Sequence, residues 1–207
     1  MTKKFELTKV SKEVYGRKLY QIKALSSFGY VAKGELGGWL EKEDNLSQEG
    51  NSWVFDNAQV SGNAWVFGNA RVSGDAWVFG NARVSGDAWV SGNARVSGDA
   101  WVFGNARVSG NARVSGNARV SGNARVYGDA QVYGDARVFG KLKLVAGLFF
   151  GVRRSGEKTA EVEIENGNYL VYKGDAKFGT DDESMVGKTA IVKIGDKEYE
   201  AVIKSEK

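Results

Sequence analysis

The chain has 207 residues, 29 Lys and Arg against 25 Asp and Glu, a formal net charge of +4, and no cysteine, histidine or proline. Without cysteine there is no disulfide framework and no thiolate metal site, and without histidine the commonest general base, metal ligand and physiological-pH switch are all missing. The mild positive charge permits nucleic-acid contact without arguing for it, and the lack of proline fits a protein made of central strands, where a lost N–H would break the ladder.

Met1 to Leu7 carries charges with no apolar h-region behind them, so no signal peptide is expected. No apolar run approaches the roughly 20 residues that span a bilayer; the longest, Leu144 to Val152, holds two glycines. The expectation is a cytoplasmic protein with no membrane partner. Phe5 to Val10 and Lys18 to Leu25 alternate like two strands joined near Tyr15-Gly16. Residues 1–45 read as an N-terminal capping β segment, because an open solenoid end is a row of unpaired strand edges.

From Val54 to Val138 a valine recurs at every sixth position, fifteen in all, within the pattern V-[SFY]-G-[ND]-A-x. A fixed short period marks one supersecondary unit stacked on itself. In Ala70-Arg71-Val72-Ser73-Gly74-Asp75, strand alternation turns Ala70 and Val72 inward and Arg71 and Ser73 outward. Gly74 and Asp75 then make the corner, with glycine and Asn/Asp both suited to positive φ. Three corners close a triangle, so one coil takes about 18 residues. Stacked at about 4.8 Å, five such coils make a prism roughly 24 Å tall, with a lumen for Val and Ala and little else. The solenoid is expected over 46–156.

With a period of 18, the outward positions stack into three faces. One reads Trp65/Phe67, Arg83/Ser85, Trp101/Phe103, Arg119/Ser121, Arg137/Phe139. A second carries Gln59, Trp77, Arg95, Arg113 and Gln131, and a third carries Trp53, Arg71, Trp89, Arg107 and Arg125. Two readings stand side by side. Trp and Arg on adjacent rungs can form cation–π ladders that only stiffen the prism, at about 0.5–1 kcal/mol per exposed pair. Alternatively, exposed Trp and Phe beside Arg are what protein interfaces use as hot spots. The binding candidates are Trp65, Phe67, Arg83, Trp101, Phe103, Arg119, Arg137 and Phe139, with Trp77 and Trp89 on the other faces. Base stacking with phosphate contact ranks third, held back by the corner carboxylates Asp75, Asp87, Asp99, Asp129 and Asp135. Those carboxylates come one per bend, too few for a calcium array, and are read as serving the left-handed bend.

Beyond Val138 the repeat degrades through Leu142, Leu144, Leu148 and Phe150, whose larger side chains suggest a last coil that widens and closes. Residues 157–207 read as a small β region with two hairpins. Lys158–Glu165 and Tyr169–Lys173 flank Asn166-Gly167, and Thr189–Ile194 and Glu198–Lys204 flank Gly195-Asp196-Lys197.

The hexad V-x-G-[ND]-A-x resembles the repeat of left-handed parallel β-helices, with its glycine at i+2 rather than the usual i+1. The resemblance implies an all-β, left-handed prism. Gly34-Glu35-Leu36-Gly37-Gly38-Trp39-Leu40-Glu41, followed by Asn45-Leu46-Ser47-Gln48-Glu49-Gly50, resembles the opening of hexapeptide-repeat proteins of phages and prophages. That second resemblance implies a phage context and brings no catalytic residues.

Acyltransferases with this repeat generally use a histidine base, and this chain has none to match it. Gly37-Gly38 and Val186-Gly187-Lys188-Thr189 both lack the phosphate-loop spacing. No enzyme, cofactor or metal is therefore expected. The leading expectation is a binding or scaffold protein that holds and inhibits a host protein. Structural self-association comes second and a nucleic-acid or nucleotide binder third.

Overall fold

A computed structural model describes residues 3–141, 143–151, 189–194 and 197–202. The expected hairpin over 158–173, the loop 180–184 and Leu142 lie outside the described residues. The second hairpin is present, with Thr189–Ile194 antiparallel to Lys197–Val202.

The repeat folds as a parallel β-solenoid. Each hexad contributes a two-residue strand, from Trp53–Val54 and Gln59–Val60 up to Arg137–Val138, lengthened to Gln131–Gly134 once. From Trp53–Val54 to Arg125–Val126 each strand pairs in parallel with the one 18 residues on, as Trp65↔Arg83 and Val66↔Val84 do. The backbone supplies the same three bonds at most steps: Trp65 N–H to Ala82 O at 2.9 Å, Phe67 N–H to Val84 O at 3.0 Å and Asn69 N–H to Gly86 O at 2.9 Å. The lumen is apolar and uniform, lined by the Val and Ala of each hexad. Two small apolar residues per strand suffice because three strands meet around a narrow axis.

The corners correct one expectation. Glycine alone takes positive φ there, from Gly62 (68°) to Gly140 (69°), while the following Asn or Asp does not. The alanine amide closes the turn, as Ala64 N–H does on Ser61 O at 3.3 Å. Positive φ at the first central residue only is the demand of a type II′ turn. Asp56, standing where glycine would be, is the one hexad residue other than glycine with positive φ (52°) among the described residues.

The Asn and Asp side chains instead run in ladders up the edges. Asn63 Nδ2 donates to Asn81 Oδ1 (3.3 Å) and Asn81 to Asp99 (2.9 Å). Asn51, Asn69 and Asp87 repeat the order, as do Asn93, Asn111 and Asp129. Each ladder ends on an aspartate, which accepts and cannot pass the chain on.

At the base, β1 (Phe5–Val14) and β2 (Arg17–Ala24) form an antiparallel hairpin. Tyr15 (φ 48°) and Gly16 (φ 72°) form its two-residue turn, both left-handed as a type I′ turn asks. β3 (Leu36–Leu40) joins β2 to the first coil, antiparallel to β2 and parallel to Gln59–Val60. Gly37-Gly38 belongs to this junction. A Cβ on Gly37 would lie 2.6 Å from Val54 O, and one on Gly38 2.5 Å from Ala58 O.

Lys4 plugs the same end, its Nζ donating to Ser52 O at 3.0 Å beneath the Phe28 ring. Burial pushes its ammonium pKa down to about 8. Trp53, expected on an outer face, is fully buried, with Phe5 and Phe28 edge-on at 6.2 and 5.4 Å.

At the far end the period slips by one. Val126 stands opposite Leu144, but Val132 stands opposite Phe149, 17 residues on. Leu144 is buried as expected, whereas Leu148 falls opposite the outward Gln131 and is exposed. Phe150 pairs with the outward Tyr133. The shorter corner at Val145–Gly147 shifts this strand's register by one, which leaves Leu148 on the exposed side.

Candidate functional site

The three outer faces are not equivalent, because the N-terminal segment lies over two of them. On the face of Trp77, the hairpin curls up so that Tyr15 stacks on the Trp77 indole at 5.2 Å and 7°. Lys12 sits over Trp39 at 4.3 Å, its ammonium pKa lowered by burial against the pull of Asp75. On the face of Trp89, Trp53 is enclosed and Tyr30 receives the Arg71 guanidinium at 4.1 Å. Among the described residues, no ring or cation–π contact from residues 3–40 reaches the face of Trp65.

The Trp65 face carries eight of the ten expected binding residues in one register. Trp65–Val66 pairs with Arg83–Val84, then Trp101–Val102, Arg119–Val120 and Arg137–Val138. Five strands at about 4.8 Å put roughly 19 Å between the lowest and the highest. Trp65 is 41% exposed, Phe67, Trp101, Phe103 and Phe139 are half-buried, and Arg83, Arg119 and Arg137 are exposed. Trp77 and Trp89 belong to the other two faces.

The aromatic contacts differ from a Trp–Arg ladder. Trp65 stacks on Phe67 two residues ahead in its own strand, at 4.1 Å and 23°. Trp101 and Phe103 (4.5 Å) and Trp77 and Phe79 (4.4 Å) do the same. The indole N–H of Trp101 donates down to Ser85 Oγ at 3.0 Å, as Trp77 does to Ser61 and Trp89 to Ser73. The serine two residues after each lower outward position therefore anchors the ring above it. Among the described residues one rung pair within the prism shows the cation–π geometry, Arg107 over Trp89 at 5.8 Å. Where Phe follows in the same strand, the indole packs on that ring and the neighbouring guanidinium is left to solvent.

The resulting surface is a set of rigid aromatic slabs separated by arginines. The described ion pairs, Lys3–Glu43 and Arg17–Glu41, both lie at the base, so Arg83, Arg119 and Arg137 have no carboxylate partner among the described residues. Glu41 is held below the usual carboxylate range, first by the Gly62 amide it accepts from and then by Arg17. Among the described residues no group of His, Asp and Glu is placed to hold a metal, and no helix is long and apolar enough to cross a membrane. This face offers rigid apolar area at low entropic cost, with cations between that have no carboxylate partner among the described residues.

Comparison with known proteins bears on the scaffold. Residues 58–74, 76–92, 88–104, 100–116, 106–120, 118–130 and 130–141 match the model of the YdcK β-solenoid repeat. A 38-residue stretch is 50% identical to the "Uncharacterized acetyltransferase YdcK" of Escherichia coli (strain K12). That match covers 18% of this chain and only 12% of the relative. The repeat matches and the 18-residue strand ladder agree on an all-β protein built on a parallel β-solenoid.

Proposed function

We propose that this chain is a non-catalytic, phage-type binding protein that uses the Trp65 face to hold and block a host protein, in its specific form a component of bacterial antiviral defence. The observation that carries the reading is the make-up of that face. Two stacked Trp–Phe pairs, exposed at Trp65 and half-buried at the other three rings, stand among arginines that have no acidic partner among the described residues, and the N-terminal segment's rings pack elsewhere. Rigid aromatics and Arg on a pre-formed surface lose little entropy on binding. In this reading residues 1–45 cap the prism, 46–156 present the face and 157–207 form a small C-terminal β region, all in the host cytosol.

The test is affinity purification from bacterial lysate with nuclease added, using the parent chain and a Trp65→Ala/Trp101→Ala variant. One dominant host protein, held by the parent and lost by the variant, is the expected result. Recovery of the bait alone overturns the reading and moves the weight to self-assembly. A second reading, acyl transfer, is suggested by the name of the E. coli relative. It calls for turnover of an acetyl donor by a chain without histidine.

A further inference from the structure

The upper end of the Trp65 face is not flat. Phe103, Arg119, Ser121, Arg137 and Phe139 line a shallow recess of about 200 Å³. Arg119 and Arg137 stand directly opposite in parallel register, so their backbones are about 4.8 Å apart. Like charges directly opposite on neighbouring strands repel and destabilise a sheet. Neither has a carboxylate to offset this among the described residues. An anion between them would turn the repulsion into two charge-assisted contacts.

The walls narrow the choice of anion. Phe103 lies one strand below Arg119, and Phe139 follows Arg137 in the top strand, both half-buried and so fixed in place. The Ser121 hydroxyl lies on the lining between them. The other stacked arginines lack this pair of walls, since Arg107 and Arg125 have Tyr127 above but Ser91 in the place of Phe103. Arg95 and Arg113 oppose each other in the same register but are followed by Ser97 and Ser115. The recess is below the roughly 300–1,000 Å³ typical of drug-sized ligands, and suits one oxyanion and one ring. Two guanidiniums match the charge of about −1.5 to −2 on a phosphate monoester better than the single charge of a carboxylate.

We propose that the recess binds a phosphate monoester carried on an aromatic group, the phosphate between Arg119 and Arg137 and the ring between Phe103 and Phe139. This rests on the Trp65 face being a recognition surface and names the ligand of its upper end. The probe is phenyl phosphate, titrated into the full ¹⁵N-labelled chain while backbone amides and arginine Nε–H signals are followed. Saturable shifts at Arg119, Ser121 and Arg137 are expected, with a Kd below about 1 mM. Arg137→Gln and Phe139→Ala each weaken binding by about tenfold with the amide spectrum otherwise intact, whereas Arg113→Gln changes nothing.

Benzoate and inorganic phosphate separate the two halves of the ligand, and both bind more weakly than phenyl phosphate. No saturation by about 10 mM overturns the proposal, as do equal shifts at Arg95 and Arg113 or equal affinity for inorganic phosphate. If the recess fails while a host protein is still captured through Trp65 and Trp101, this inference alone falls. Phenyl phosphate binding without capture leaves the recess standing and removes the host-protein reading.

Discussion

Gly98 shows what one residue contributes to this prism. Its φ of +65° is a conformation that costs an L-residue roughly 1–2 kcal/mol. A Cβ there would also meet Gly116 N at 2.9 Å and Gly116 O at 3.0 Å, backbone atoms of the next coil that cannot yield without disturbing the ladder. Gly98→Ala is expected to destabilise by about 2–4 kcal/mol, read as a lower urea midpoint with unchanged slope. Asp56 occupies the equivalent corner of the first full coil, yet there its Oδ2 accepts the Gly74 amide at 2.9 Å. Asp56→Gly trades that bond for a relaxed backbone and should stay within about 0.5 kcal/mol of the parent. If Gly98→Ala unfolds with the parent, the turn chemistry assigned to the corners is wrong.

Between coils, the edge ladders have a direction, and it predicts an asymmetry between two single changes. Asn81 accepts from Asn63 and donates to Asp99. Asn81→Asp removes that donor and sets two carboxylates on neighbouring rungs, costing about 0.5–1.5 kcal/mol, a penalty that shrinks as salt is added. Asp99→Asn keeps an accepting oxygen and should cost less than about 0.5 kcal/mol. Thermal melts at low and high salt decide it; equal melting temperatures for the two variants would remove the ladder's polarity. The N-N-D order at 18-residue spacing is visible in the sequence only once the ladder is known, because Asn and Asp suit the bend as well as the ladder. The rungs themselves were legible from Val54 to Val138, since only Val and Ala fit the lumen and each neighbour is fixed by the same period. Contacts outside that period were not. Tyr15 on Trp77 depends on how far the hairpin curls, and the burial of Trp53 on where Phe5 and Phe28 arrive. The ten outward binding candidates could be placed by counting, but which face stays free is decided by the N-terminal segment, and no repeat encodes that.

At the scale of the molecule, each described coil pairs only with the coils above and below, so stability is close to a sum of coil and interface contributions. Deleting residues 85–102 removes one complete turn and joins Val84 to Phe103, restoring the pattern Arg-Val-Phe-Gly-Asn-Ala. Because the cut equals one period, every later residue keeps its face. The N-terminal hairpin keeps Trp77, while Phe103, Arg119, Ser121, Arg137 and Phe139 remain together above Arg83. The shortened chain should therefore fold cooperatively, with a smaller denaturant slope in proportion to the surface lost and a melting temperature only a few degrees lower. It should also separate two properties of the free face. Trp101 is gone, so capture of a partner through the aromatic slabs should weaken, whereas phenyl phosphate should still saturate the recess. A chain that aggregates or loses cooperative unfolding would mean that the coils communicate beyond their neighbours. A chain that folds but loses the recess would mean that Phe103 and Arg119 need the particular rung beneath them, and that the upper site is set by more than local register.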